Sequence, residues 1–128
     1  MFKETLICVS IIILILLGNM ITNKYTIKSI ESLSNKLEEV KISINENKEK
    51  EDTQKNIEEM LSDFNSRHDK LAIYIEHAEI EKVELELESM QSYFEEEDNK
   101  KTITQIDKSV FLLKHLEDKY AFNLPNIF

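Results

Sequence analysis

The chain has 128 residues, 32% of them charged, a formal net charge of −9, and a single Gly, Pro and Cys with no Trp. So few Gly and Pro exclude turn-rich β architectures and glycine loops that cradle phosphate, and one Cys excludes a disulfide framework. An acidic chain repels nucleic-acid phosphates, so no nucleic-acid partner is expected.

The first element is an apolar run. From Leu6 to Leu17 only Cys8 and Ser10 interrupt the aliphatic residues, and no charge appears between Glu4 and Lys24. Thr5 to Thr22 is 18 residues, which as helix spans about 27 Å against a hydrocarbon core of about 30 Å. Eleven positions from Leu6 to Ile21 are Leu, Ile or Val, and together they favour insertion by on the order of 3–7 kcal/mol. Residues 1–23 therefore read as a transmembrane signal anchor, with membrane lipid as the partner of Leu6 to Ile21. A cleaved signal peptide is the rival, but Leu17-Gly18-Asn19-Met20-Ile21 offers no pair of small residues for cleavage. Cys8 lies inside the run rather than after it, which excludes a lipoprotein site. Lys24, Lys28, Lys36 and Lys41 follow the segment and by count alone favour the cytoplasmic side. A first apolar segment behind a short tail instead exports its carboxyl side. The expectation is a single-pass protein of the cell membrane with an extracytoplasmic bundle.

The remaining chain reads as helix nearly throughout, because no Gly or Pro occurs between Gly18 and Pro125. Ile30, Leu33, Leu37, Val40 and Ile44 form an a/d seam, predicting a helix over about 25–45. The stretch from Asn45 to Asp52 lacks apolar residues and reads as a turn, with Asp52 or Thr53 as cap. Ile57, Leu61, Phe64, His68, Leu71, Ile75 and Ala78 predict a second helix over about 53–76. Ile80, Val83, Leu87, Met90 and Phe94 run out of register with it, predicting either a kink near Glu76 to Glu79 or a separate helix over about 77–96. After an acidic loop, Ile103, Ile106, Val110, Leu113, Leu116 and Tyr120 predict a last helix over about 99–121. Asp98, Asn99 or Thr102 can cap it, and Thr102 with Gln105 has capping-box spacing. The fold class is thus all-α: an N-terminal transmembrane helix, then an antiparallel bundle of three or four helices over 24–122. An extended apolar tail over 123–128 follows, because Pro125 forces Leu124 out of helix.

Few residues carry chemistry. The histidines are His68, His77 and His115. None stands three residues after a Glu, as carboxylate-rich di-iron bundles require, and no H-E-x-x-H occurs. His77 and His115 are the weak metal candidates, and otherwise no metal site and no cofactor is expected. Glu95, Glu96, Glu97 and Asp98 lack the alternation and central Gly of a calcium loop. Glu81, Glu84, Glu88 and Glu95 make an acidic stripe that faces water or a basic partner. No Ser/His/Asp or Cys/His arrangement is readable, so no catalytic residue and no enzyme is expected. The tail is the remaining candidate. Asn126, Ile127 and Phe128 end an apolar stretch that either straps across its own bundle or clips into a partner.

The order of an N-terminal apolar helix, a seam helix, His77-Ala78-Glu79-Ile80, Tyr93, a short acidic loop, Leu112-Leu113-Lys114-His115 and a final Asn126-Ile127-Phe128 resembles one family. It is similar to domain of unknown function 4363, a family of short single-pass membrane proteins of low-GC Gram-positive bacteria. The chain departs from that family in having no Trp and in following Ile80 with Glu81 and Lys82. The resemblance implies a small membrane-anchored accessory protein with a membrane protein partner, and it supplies no catalytic residues.

Three functions compete at this level. The first is a non-enzymatic accessory protein whose bundle binds another membrane protein. The second is a bitopic coiled-coil scaffold of the cell-division kind, a homo-oligomer in which the Ile30 to Ile44 seam pairs between chains. The third is a sensor or metal-binding bundle using His77 or His115.

Overall fold

The structure, a computed structural model, describes residues 1–121. It consists of four helices: α1 over Phe2–Asn45, α2 over Lys50–Tyr74, α3 over His77–Glu95 and α4 over Asn99–Ala121. The predicted anchor and the predicted seam helix are one unbroken element. Nothing between Gly18 and Asn45 removes a backbone donor, so the helix that begins in the apolar run continues into the bundle.

Each break has a local cause. After α1, Asn47 takes a left-handed conformation at φ 53°, and its amide and that of Lys48 donate back to Ile44 and Ser43. Glu97 does the same after α3 at φ 62°, with the Glu97 and Asp98 amides donating to Phe94 and Tyr93. Both are Schellman stops built without glycine. Between α2 and α3 the chain makes the separate-helix choice: Ile75 and Glu76 are extended, with ψ of 137° and 134°. The two seams differ in register because a two-residue break lies between them. Of the caps, Asp98 is used, its carboxylate accepting from the Lys101 amide at 3.1 Å. The Thr102–Gln105 capping box does not form. Both residues lie inside α4, where the Thr102 hydroxyl donates to the Asp98 carbonyl and Gln105 Oε1 has no partner among the described residues. Asp52 and Thr53 also lie inside a helix, since α2 starts three residues before Thr53.

Helix α1 packs on α2 and α4, α3 packs on α4, and α2 touches α3 least. Cross-helix pairs fix the directions. Ser43 meets Thr53 while Ser29 meets Arg67, so α2 runs antiparallel to α1. Lys41 meets Asp107 at one end of α4, and Lys119 meets Glu79 at the other, so α4 runs antiparallel to α1 and α3. The result is an up-down-up-down four-helix bundle. All five residues of the first seam are buried, from 0% exposure at Ile30 to 7% at Ile44. So are all five of the third, Ile80 to Phe94. The second seam holds at Ile57, Phe64, Leu71 and Ile75. It fails at Ala78, which is exposed beyond the break, and is completed by Met60, fully buried. Each large side chain so covered stabilises the fold by roughly 1.5–3 kcal/mol.

Small polar residues share this interior. Thr26, Ser29, Ser43, Thr53, Thr102 and Ser109 are buried. Their size lets α1 approach its neighbours, and each of these hydroxyls has a hydrogen-bond partner, on its own helix or across to the next. Thr26 and Ser109 donate to carbonyls four residues back at 2.9 and 2.8 Å, while Ser43 and Thr53 hydrogen-bond each other at 2.6 Å.

In contrast, the first part of α1 has no protein cover. Its apolar window is wholly unburied, and among the described residues α1 is the one helix long and apolar enough to cross a membrane.

Candidate functional site

The bundle has two ends of different character. At the far end lie the turns after α1 and α3, bridged by Lys50 and Glu97 at 2.7 Å. At the other end, which we term the base, the α2–α3 break and the last turn of α4 gather beside the apolar part of α1. The Tyr74 hydroxyl donates to Asn19 Oδ1 at 2.9 Å. The Glu76 amide donates to the Tyr120 hydroxyl at 3.3 Å, and that hydroxyl faces Glu79 Oε2 at 3.4 Å. Lys119 closes the group on Glu79 Oε1 at 2.9 Å. Burial pushes the Tyr120 phenol above its ordinary range, and Lys119 is raised by its hydrogen bond to Glu79. Both therefore keep their protons at neutral pH, and the phenol ties α3 to α4 as a neutral hydrogen-bonding group.

A second polar group pins α1 to α2. Arg67, the only arginine of the chain, donates through Nη1 to Ser29 Oγ at 2.8 Å and through Nε to Asp63 Oδ1 at 3.0 Å. Lys36 reaches the other Asp63 oxygen at 3.1 Å. Burial alone would raise the Asp63 carboxyl, but Arg67 and Lys36 outweigh it and hold it below the usual range. The sequence signal was the lone Arg four residues after an Asp, with Ser29 on the facing helix. Seam periodicity does not register it.

The predicted site residues fall elsewhere. His77 opens α3 and pairs through Nε2 with Glu81 at 2.9 Å, both exposed. His115 is exposed on α4. Among the described residues no three His, Cys, Asp or Glu side chains are placed to hold a metal ion. The third histidine, His68, meets the Phe64 ring edge-on at 6.0 Å rather than lining a site. Three members of the acidic stripe, Glu81, Glu88 and Glu95, are exposed, and Glu84 is half-buried. The tail candidates Asn126, Ile127 and Phe128 lie outside the described residues. The described part of α4 ends at Ala121, directly after Tyr120, at the base.

Across the α1–α4 interface two pairs oppose one another in sign. Lys41 and Asp107 attract at 2.7 Å. Glu31 and Glu117 repel, and burial together with Glu31 raises the Glu117 carboxyl above its ordinary value.

Comparison with known proteins adds one finding. A family model described as Domain of unknown function (DUF4363) matches residues 20–127. No curated protein and no solved structure matches the chain. The match begins within the apolar run and takes in the whole bundle, so the chain belongs to the family described as Domain of unknown function (DUF4363).

Proposed function

We propose that the chain is a non-enzymatic accessory protein, anchored in the cell membrane by the first part of α1, whose exported bundle assists another membrane protein. One observation carries the reading. A single helix is bare and apolar over its first part and forms the bundle core over its second. Uncovered aliphatic side chains from Leu6 to Ile21 favour lipid over water. A bundle built on the same rigid element stays at the bilayer, where its partners are other membrane proteins. The membrane partner is the one that family resemblance implies.

The coiled-coil scaffold needs the Ile30 to Ile44 seam to pair between chains. That seam is covered by α2 and α4 of the same chain, which favours the accessory reading. The metal-binding reading would rest on His77 and His115, whose surroundings give it no support.

Anchoring and orientation are tested together. The full chain is expected to stay in the membrane pellet after alkaline carbonate washing. A reporter that works only outside the cytoplasm, fused after Phe128, is expected to be active. An inactive but stably expressed fusion would reverse the orientation, and release into the wash would remove the anchor. The partner is sought by crosslinking and pull-down with Asn126 to Phe128 present or deleted. Identical recovery from both baits would exclude the tail as the clip.

A further inference from the structure

The apolar run and the bundle overlap in height. Asn19 lies three residues before Thr22, the end of the predicted 18-residue span, so its side chain sits about 4.5 Å on the membrane side of that end. Tyr74 bonds to Asn19 at 2.9 Å, which brings the end of α2 to the same level. Beside it, Ile73 is 78% exposed, two residues from buried Leu71 and so on the opposite face of the helix. Tyr25 lies six residues beyond Asn19 on α1, about 9 Å further from the apolar run, with the Lys70 ammonium 5.6 Å from its ring centre. An exposed aliphatic side chain flanked by tyrosines and lysines is the composition of the bilayer interface. The charges near this end are mixed: Lys24, Lys70 and Lys119 stand against Asp69, Glu76 and Glu79. That mixture suits a zwitterionic phospholipid surface. The apolar stretch, about 27 Å long, falls about 3 Å short of the hydrocarbon thickness, and this mismatch draws the base toward the acyl chains.

Resting on the anchor proposed above, we infer that the base of the bundle is itself a lipid-binding surface. Ile73 and Tyr74 sit in the interfacial layer of the bilayer, so the bundle stands in the membrane surface rather than above it. The occupant is phospholipid at the boundary between headgroups and acyl chains. Ile73 gains apolar cover there, and the Tyr74 phenol sits where an amphipathic ring is stable.

The chain has no tryptophan, so one introduced Trp is a sole reporter. Full-length Leu14→Trp, Ile73→Trp and Phe111→Trp are placed in phosphatidylcholine vesicles containing lipids brominated at shallow or deep acyl positions. Phe111 is 71% exposed on the side of α4, away from the base, and serves as the water reference. Ile73→Trp is expected to emit at shorter wavelength than Phe111→Trp and to lose intensity mainly to shallow bromine, while Leu14→Trp loses it mainly to deep bromine. Quenching of Leu14→Trp with Ile73→Trp left at the Phe111→Trp level would overturn the lipid seat and leave the anchor intact, assigning Ile73 to a protein partner. Unquenched Leu14→Trp would overturn anchor and seat together. Quenching of Phe111→Trp as strong as that of Ile73→Trp would show a bundle lying flat on the bilayer and overturn the seat at the base.

Discussion

The Arg67 guanidinium reaches across from α2 to Ser29 of α1 at 2.8 Å while holding Asp63 of its own helix at 3.0 Å. Both ends of the pin are more covered than a surface pair, with 26% of the Arg67 side chain and 15% of the Asp63 side chain exposed. Arg67→Ala removes both hydrogen bonds and leaves Lys36 as the sole counter-ion of Asp63. It is expected to destabilise the fold by about 1.5–3 kcal/mol, read by denaturant unfolding of the full chain in detergent. Arg67→Lys is expected to lie between, because a lysine ammonium cannot keep the fork geometry toward both partners.

The same carboxylate sets part of the pH response. Asp63 has its folded pKa held below the unfolded value of about 3.9, so its contribution is present above that pH and lost as pH falls through the folded value. Glu117 behaves oppositely. Its folded pKa is raised above about 4.3, so its charge opposes folding at neutral pH, and the penalty is relieved as pH falls through the raised value. Stability is expected to rise slightly on mild acidification and to fall below about pH 4. Glu31→Gln is expected to flatten the rise, and Asp63→Asn to weaken the acid loss, both seen in midpoints measured across pH.

Two stops are built on residues other than Gly in the left-handed region. Asn tolerates that conformation at Asn47, and Ala there is expected to cost about 1 kcal/mol. Glu97 has a full side chain at φ 62°. Glu97→Gly is expected to raise the thermal midpoint although it removes the exposed bridge to Lys50. An unchanged or lowered midpoint would count against strain at this turn.

Leu37 is fully buried between α1 and its own chain's helices. Leu37→Ala is expected to cost about 2–5 kcal/mol. With Cys8 replaced by Ser, Leu37→Cys is expected to give no intermolecular disulfide under oxidation. Efficient dimer formation would restore the scaffold reading.

Much of this protein is local and therefore readable in one dimension. The apolar run announced itself as an uncharged stretch of Leu and Ile. The Ile30 to Ile44 and Ile80 to Phe94 seams were legible because a helix places every third or fourth residue on one face, whatever lies opposite. Asp98 was legible as a cap because its carboxylate reaches an amide three residues on. Tertiary structure alone decided the rest. Whether Glu76 marked a kink or a break depended on where α3 could pack. The burial of Ser29, Ser43 and Thr53 depended on how closely α2 approaches α1. The pin from Arg67 to Ser29 joins residues far apart in sequence, as does the bond from Tyr74 to Asn19. The height of the bundle relative to the apolar run follows from that last contact. Periodicity fixes which way a side chain faces along its own helix, and only packing fixes what it meets.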